Sequence, residues 1–242
     1  MKPSTRNHQR RTPLPFVFIN MAMTADGKIA TANRRVSSFG SRHDREHLLQ
    51  LRATADAVMA GARTTDLNPI NLGPGPVKYR RLRLRRGLAE FNLRIIVSRS
   101  GTVNPTAEVF QRTFSPTIVL TTHRATAARL KKLRTAATAV KICGGKEINF
   151  GRALRWLRVR WGVKRLLCEG GGELNDALFR AGLVNELHLT ICPKIFGGRN
   201  APTIADGLGA SALARATRLQ LDSARRHGEE MFFVYRVARK DS

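Results

Sequence analysis

The chain of 242 residues carries 43 lysines and arginines against 17 aspartates and glutamates, a formal net charge of +26. Its hydrophobic content of 42% excludes global disorder, and its length fits one large domain or two small ones. No apolar run approaches the roughly 18 residues of a membrane span. Three widely separated cysteines give neither a disulfide framework nor a zinc site. We therefore expect a cytoplasmic protein whose cationic surface attracts nucleic acid or phosphorylated small molecules.

Residues 1–15 are polar, basic and interrupted by prolines, which predicts a flexible N-terminal arm rather than a signal peptide. Residues 16–242 contain no internal repeat and no convincing linker, so we expect one domain there. Aromatic residues make up 6% of the chain and do not interleave with basic ones, which disfavours a platform for single-stranded nucleic acid.

Strands and helices alternate along the chain, which predicts an α/β fold of three layers, with a central, mostly parallel sheet between helices. The first strand, 16–23, is closed by the turn-forming pair Asp26-Gly27, and Ser41 is placed as N-cap of a helix over 43–53. Further strands are predicted at 57–60, 93–97, 117–120, 139–143, around 166, at 186–195 and at 231–237. Further helices are predicted at 124–133, 150–161 and 174–181.

Two segments carry special predictions. Pro193 within the strand over 186–195 predicts an edge position or a bulge. Residues 68–87 are rich in proline and glycine and carry six cations, which predicts a long solvated loop, or one that grips a substrate phosphate.

The most informative stretch is 166–175, where a buried strand ends in Glu169 and three glycines before a helix begins. Glycines at such a turn let the backbone approach a ligand closely, and the free amides of the first helical turn favour an anion. Ligands of open α/β sheets bind at this end of the strands. The pattern indicates a phosphate-bearing ligand beside one carboxylate, although plain connectors also look like this.

Five separated segments lie at 20–30, 36–38, 51–64, 169–175 and 182–198. They include NMAMTADGKIA from residue 20, LRATADAVMAGART from residue 51 and EGGGELN from residue 169. In this order they resemble the reductase family of riboflavin biosynthesis, in its stand-alone form. The resemblance implies a dihydrofolate-reductase-like fold, NADPH as hydride donor and a homodimer. It implies reduction of a phosphorylated ribosylaminopyrimidine at ribose C1′, which gives a ribitylamino product.

The resemblance also implies roles for individual residues. From the spacing of cysteines and histidines we expect no metal site. At the substrate the resemblance places Asn20, Ser38, Arg52 and Glu169. Asp26 and Glu169 are the candidate catalytic groups, able to relay a proton through water. At the cofactor it places Thr64, Ser98, Arg99, Gly171, Gly172, Glu173, Leu174 and Asn175.

The chain departs from the family in two segments. Residues 65–72 read TDLNPINL where the family has Asp-Asp-Pro-x-Leu-Thr-Val-Arg, so an aspartate for the cofactor and an arginine for the substrate phosphate are missing. Residues 96–100 read IVSRS where the family has Val-Val-Asp-Ser, which puts Arg99 where the 2′-phosphate of NADPH is expected. The alternatives are a paralogue acting on a pterin or dihydrofolate-like ring, and a nucleic-acid-binding protein on the same scaffold.

Several of these residues also have structural interpretations. Asp26 before glycine is a turn former, Glu169 can cap the helix it precedes, and Arg52 can be a solvated helix residue. His43 and His47 have the i, i+4 spacing of helical metal ligands, but without a Glu-x-x-His context they do not predict a metal site.

Overall fold

The computed structural model describes residues 13–34 and 39–238, and in these residues the chain forms nine strands and seven α-helices. The strands are β1 (Phe16–Thr24), β2 (Ala57–Gly61), β3 (Leu93–Val97), β4 (Thr117–Thr121), β5 (Ala139–Ile142), β6 (Arg165–Cys168), β7 (Glu186–Cys192), β8 (Leu219–His227) and β9 (Glu230–Val237). The helices are α1 (Arg42–Arg52), α2 (Ala62–Leu67), α3 (Val77–Arg85), α4 (Glu108–Gln111), α5 (Ala127–Ala136), α6 (Phe150–Trp161) and α7 (Gly172–Arg180). Residues 1–12 of the predicted arm and Ser38 lie outside the described ranges.

All nine strands join one sheet in the order β5-β4-β3-β2-β6-β1-β7-β9-β8. The first seven of these strands pair in parallel, and β9 and β8 add antiparallel at one end. Parallel strands need crossover connections, and the helices supply them. The carboxyl ends of β1, β2, β3, β6 and β7 therefore lie along one edge of the sheet. Within the described residues, the strands from residue 16 to residue 237 belong to one continuous sheet.

The sheet buries both of its faces, because successive side chains of a strand point to opposite sides. On one face Ile19, Met59 and Ile95 pack with α6 and α7 in one hydrophobic cluster. On the other face Phe18 and Val58 pack with apolar residues of α1, α4 and α5 in a second cluster. This arrangement confirms the predicted three-layer α/β/α architecture with a mostly parallel central sheet.

The opposite edge of the sheet, where the parallel strands begin, is fastened by polar side chains. The Asp56 carboxylate accepts hydrogen bonds from the backbone N–H groups of Lys164 and Arg165, each at 2.8 Å. Asn185 Oδ1 accepts from the N–H of Val17 at 2.8 Å. These contacts tie the starts of β1, β2, β6 and β7 together away from the carboxyl edge.

Most predicted elements are confirmed within a few residues. Ser41 caps α1 as predicted, because its hydroxyl accepts from the N–H groups of His43 and Asp44. The helix predicted over 124–133 begins three residues later, at Ala127, since Thr126 acts as its N-cap. Strand β8 was not predicted; nearly all of its side chains are exposed and they lack a clear alternation of apolar and polar residues.

Two predictions were wrong. Pro193 does not mark an edge strand or a bulge, because β7 is an interior strand and Pro193 follows its last residue. Residues 68–87 are not a solvated loop throughout, because residues 77–85 form α3. Within it, the buried Arg83 side chain donates to the carbonyl oxygens of Arg52, Ala55 and Ala89 at 2.6 to 2.9 Å. Burial lowers the pKa of this guanidinium from its usual value.

We expect Arg83→Ala to lower the free energy of unfolding by about 2 kcal/mol, because three buried carbonyl oxygens lose their donor. Chemical denaturation measures the change. The matched control is Arg85→Ala on the same helix; Arg85 is exposed, and its replacement should change stability by less than about 0.5 kcal/mol. Equal effects of the two replacements would contradict the anchoring role of Arg83.

Candidate active site

Two glycine-containing turns meet at the carboxyl edge of the sheet. One joins β2 to α2 through Gly61, and the other joins β6 to α7 through residues 169–171. Because β2 and β6 are neighbours in the sheet, the turns lie side by side, and the N–H of Gly61 donates to the carbonyl oxygen of Gly170 at 2.9 Å. The two helix N-termini therefore open onto the same region of the edge.

Gly170 and Gly171 of the second turn and Gly172 at the start of α7 have different roles. Gly170 has φ of +78°, and a Cβ there would lie 2.6 Å from Met21 Sδ. A Cβ on Gly172 would lie 2.6 Å from the carbonyl oxygen of Thr203, so this glycine is required by packing. Gly171 has φ of −66° and ψ of 177°, and the nearest atom to a Cβ there is Thr64 Oγ1 at 3.5 Å. A Cβ at Gly171 would therefore make only an ordinary van der Waals contact with Thr64, and the fold does not require glycine there.

The N-terminus of α7 is available to an anion. Gly171 is its N-cap and supplies no side-chain cap, so the first amides of the helix are left for another acceptor. Leu174 packs in the core, and the buried Asn175 donates through Nδ2 to the carbonyl oxygen of Ile204 at 2.8 Å. Of the five predicted turn residues, 171–173 form the uncapped start of α7, whereas Leu174 and Asn175 support the turn.

Arginines border these turns. Arg99, at the end of β3, lies 2.8 Å from Glu147 and 3.7 Å from Glu173, and Arg63 lies 3.7 Å from the other oxygen of Glu173. These side chains are all about half exposed or more. Ser98 is buried, and its hydroxyl donates to the carbonyl oxygen of Thr102 at 2.8 Å. The structure therefore brings Arg99, but not the Ser98 side chain, to the exposed border of the turns.

Arg52 and Glu169 form a bidentate ion pair. Arg52 Nε and Nη2 each donate to one carboxylate oxygen of Glu169 at 2.6 Å, and Nη1 donates to the carbonyl oxygen of Gly73 at 2.7 Å. Both side chains are only 10% exposed. Arg52 is thus not a solvated helix residue. Its guanidinium charge and the carboxylate charge of Glu169 neutralise each other.

Glu169 shares a sheet face with Asn20. Ile19 pairs with Cys168 in the parallel register of β1 and β6, so the next residues along, Asn20 and Glu169, both point toward α1. On the other side of β1, Asn20 is in register with His188. Asn20 is 7% exposed, and its Oδ1 accepts no hydrogen bond from the described residues.

Asp26 is engaged in a turn. Its carboxylate accepts from the Thr24 hydroxyl at 2.6 Å and from the N–H groups of Gly197 and Phe196 at 2.8 and 3.2 Å. The hydrogen bond from Thr24, followed by those from the backbone, lowers the pKa of Asp26 from its usual value. These hydrogen bonds hold the turn and residues 196–197 together, so they favour the structural interpretation of Asp26.

The structure therefore groups the predicted residues in two places at one edge. Thr64, Arg99 and residues 171–173 surround the paired turns, and Asn20, Arg52 and Glu169 line the sheet face under α1. The sequence analysis did not single out Arg63, which directly precedes Thr64 in the segment 51–64, or Asp44 on α1. The position of Arg63 beside Thr64 is a signal that could have found it, whereas the partial burial of Asp44 depends on tertiary packing.

Comparison with known proteins identifies the family. The model of the RibD C-terminal domain matches residues 15–233. The chain belongs to this family. A protein of Methanothermobacter thermautotrophicus named 2,5-diamino-6-ribosylamino-4(3H)-pyrimidinone 5′-phosphate reductase is 33% identical over 230 residues, covering 92% of this chain and 98% of that one. A protein of the same name from Aquifex aeolicus is 30% identical over 232 residues, covering 93% and 98%.

Solved structures agree on the fold of this RibD C-terminal domain. A pyrimidine reductase-like protein from Corynebacterium diphtheriae superposes with a TM-score of 0.77 at 23% identity, covering 93% of both chains. The riboflavin biosynthesis reductase of Saccharomyces cerevisiae gives a TM-score of 0.68 at 16% identity, covering 94% of this chain and 91% of that one. The predicted dihydrofolate-reductase-like fold and oxidoreductase class are confirmed. Within residues 13–34 and 39–238, no helix has the length and apolar character to cross a membrane.

Proposed function

We propose that this chain uses NADPH to reduce 2,5-diamino-6-ribosylamino-4(3H)-pyrimidinone 5′-phosphate in riboflavin biosynthesis. Two full-length relatives carry the name of this activity. The observation that carries the proposal is the joining of two helix N-termini at the carboxyl edge, beside the buried Arg52–Glu169 pair. This edge is where α/β sheets bind ligands.

The paired turns fit a dinucleotide phosphate. A side chain at Gly171 would fill the space beside Thr64, and the uncapped amides of α7 are suited to a pyrophosphate. Arg99, with Arg63 nearby, supplies forked donors that match the 2′-phosphate of NADPH. When bound there, the cofactor supplies the hydride for the reaction.

The residues under α1 then act on the substrate. In the ring-opened imine, hydride adds to C1′ and a proton adds to nitrogen, so that the C=N bond becomes a C–N single bond. Arg52 holds the Glu169 carboxylate in one position, from which Glu169 binds a polar group of the substrate and relays the proton through water. Asp26 holds residues 196–197 in place at the same edge.

The proposed activity is tested by titrating the protein with NADPH at moderate salt and by measuring turnover. We expect saturable quenching of cofactor fluorescence and turnover of the ribosylaminopyrimidine phosphate. Turnover of dihydrofolate instead would favour the pterin alternative. No cofactor binding, together with DNA binding that weakens steeply with salt, would replace the enzymatic proposal by the nucleic-acid one.

We expect Arg99→Ala to narrow the preference for NADPH over NADH, because Arg99 is the proposed partner of the 2′-phosphate. The ratio of the two dissociation constants should fall about tenfold, which corresponds to one charged hydrogen bond. Arg129→Ala is the control, since Arg129 is an exposed arginine that donates to the carbonyl oxygen of Ser100 near the same strand end. An unchanged ratio in Arg99→Ala would contradict the assignment.

We further propose that the enzyme is a cytoplasmic homodimer. Strand β8 lies at the outer end of the sheet with nearly all of its side chains exposed, and Leu221 is 58% exposed. An uncovered outer strand carrying leucines is a surface that a second copy would bury. Analytical ultracentrifugation would show the mass of two chains.

A further inference from the structure

A polar layer separates α1 from the sheet where hydrophobic packing is expected. It consists of Asn20 on β1, Asp44 and His47 on α1, and His188 and Thr190 on β7. Asp44, His47 and Leu51 fall on one face of α1 by helical spacing, but only Leu51 joins the hydrophobic cluster below. The register of β1 and β7 puts Asn20 beside His188 on this face. A buried polar layer is costly unless its groups are hydrogen-bonded.

Three polar atoms of the layer have no hydrogen-bond partner in the described part of the chain: Asn20 Oδ1, Asp44 Oδ1 and His188 Nδ1. Asn20 and His188 are more than nine-tenths buried, at 7% and 8% exposure. His188 Nε2 lies 2.5 Å from Glu186 Oε1, which leaves Nδ1 as the ring nitrogen without a partner. The amide oxygen of Asn20 and the carboxylate oxygen of Asp44 therefore lack donors, and a ligand rich in N–H groups would supply them.

The surroundings of Asp44 show the same shortage. Burial, the largest influence, raises the pKa of Asp44, and the Glu230 carboxylate raises it further, whereas a hydrogen bond from Thr190 and the charge of His43 lower it. Burial lowers the pKa of His47 to about 4, so this neighbour is neutral near pH 7 and supplies no charge. Additional donors from a ligand would stabilise the Asp44 carboxylate.

The polar layer borders a partly exposed position of the sheet. Ala22 is in register with Thr190, on the same face as Asn20, and it is partly exposed. Its side chain is small, and Asn20, two residues before it, lies next to Glu169 on this face. A flat ring that enters along this face would meet the unsatisfied acceptors with its rim.

We propose that Asp44, together with Asn20, accepts hydrogen bonds from the N–H groups of the substrate's pyrimidinone ring, so that the enzyme selects the 2-amino ring over its 2-oxo counterpart. This inference rests on the proposed function. The 2-amino group presents N–H donors where the 2-oxo group presents an acceptor, which would be repelled by the acceptors of the layer. Rejection arises because the wrong ring would leave buried polar groups unpaired.

The test compares kcat/KM for the 2,5-diamino-6-ribosylaminopyrimidinone phosphate with that for the 5-amino-6-ribosylaminouracil phosphate. We expect the wild type to prefer the 2-amino substrate by about a hundredfold, and Asp44→Asn to reduce this ratio at least tenfold, because the amide can donate to a 2-oxo group. Glu46→Gln, a carboxylate on α1 paired with Arg42 outside the layer, should leave the ratio unchanged.

A second variant keeps the test decisive if Asp44→Asn does not fold. Asn20→Ser shortens the other acceptor and should also lower the ratio, and thermal unfolding shows whether each variant is folded. A ratio unchanged in every folded variant would overturn the inference while leaving the proposed function intact. A wild type that reduces neither substrate would instead overturn the proposed function.

Discussion

Arg52→Ala should lower the free energy of unfolding by about 3–5 kcal/mol, because the Glu169 carboxylate would remain in a buried position without its cation. Both side chains are 10% exposed, so water screens this pair poorly. The replacement also leaves the carbonyl oxygen of Gly73 without its donor at 2.7 Å. Urea denaturation measures the loss, and turnover of the remaining folded enzyme should fall with it.

Two controls separate the pair from its components. Arg42→Ala, on the same helix, removes an arginine that is 92% exposed, and should change stability by less than about 0.5 kcal/mol. The double variant Arg52→Ala/Glu169→Ala should be less destabilised than the sum of its single variants, since no lone charge remains buried. Additive losses would mean that the two charges do not depend on each other.

Glu169→Gln tests the chemical role of the carboxylate and is measured on the enzyme that remains folded, because it leaves the buried Arg52 without its counter-charge. The amide keeps the shape of the side chain but cannot relay a proton as the carboxylate does, so turnover should fall while the dissociation constant for NADPH stays near the wild-type value. Equal losses in turnover and cofactor affinity would contradict the substrate-side role that we propose for Glu169.

Gly171→Ala should fold and yet bind NADPH at least about tenfold more weakly, a loss of about 1.4 kcal/mol or more. The backbone at Gly171 has φ of −66°, which alanine adopts, and the added Cβ meets only Thr64 Oγ1, at 3.5 Å. The methyl group would instead fill the space that we assign to the pyrophosphate. Fluorescence titration gives the affinity, and thermal unfolding reports the fold.

The matched control is Gly151→Ala in α6, where an added Cβ meets only Asn149 Oδ1, at 3.5 Å. Alanine favours a helix over glycine, so this variant should be as stable as the wild type or more stable by up to about 1 kcal/mol, with unchanged cofactor affinity. A Gly171→Ala enzyme with wild-type affinity would place the pyrophosphate elsewhere.

The sequence was informative where local chemistry is strong. Ser41, placed as an N-cap, predicted the start of α1, and buried apolar runs predicted β2, β3 and β4 within one residue. It failed for α3, because the prolines and glycines of residues 68–76 hid a helix that begins immediately after them. Strand β8 could not be recognised because no periodic burial accompanies it.

The same distinction applies to the candidate site. Motifs identified the turn residues, but only the packing shows that a side chain on Gly172 would clash with Thr203 while one on Gly171 would make an ordinary contact with Thr64. Similarly, the chain order does not reveal that Arg52 and Glu169, 117 residues apart, neutralise each other. Partners at such separations follow from the strand order, which local patterns do not determine.

The placement of Asp56 and Asn185 has a consequence for how such an enzyme can evolve. These side chains fasten the starting ends of the strands, whereas the residues proposed for chemistry lie at the finishing ends. Substitutions that change the choice of substrate therefore lie far from the side chains that hold the strands together. Substitutions at one edge of the sheet can therefore accumulate without loosening the other.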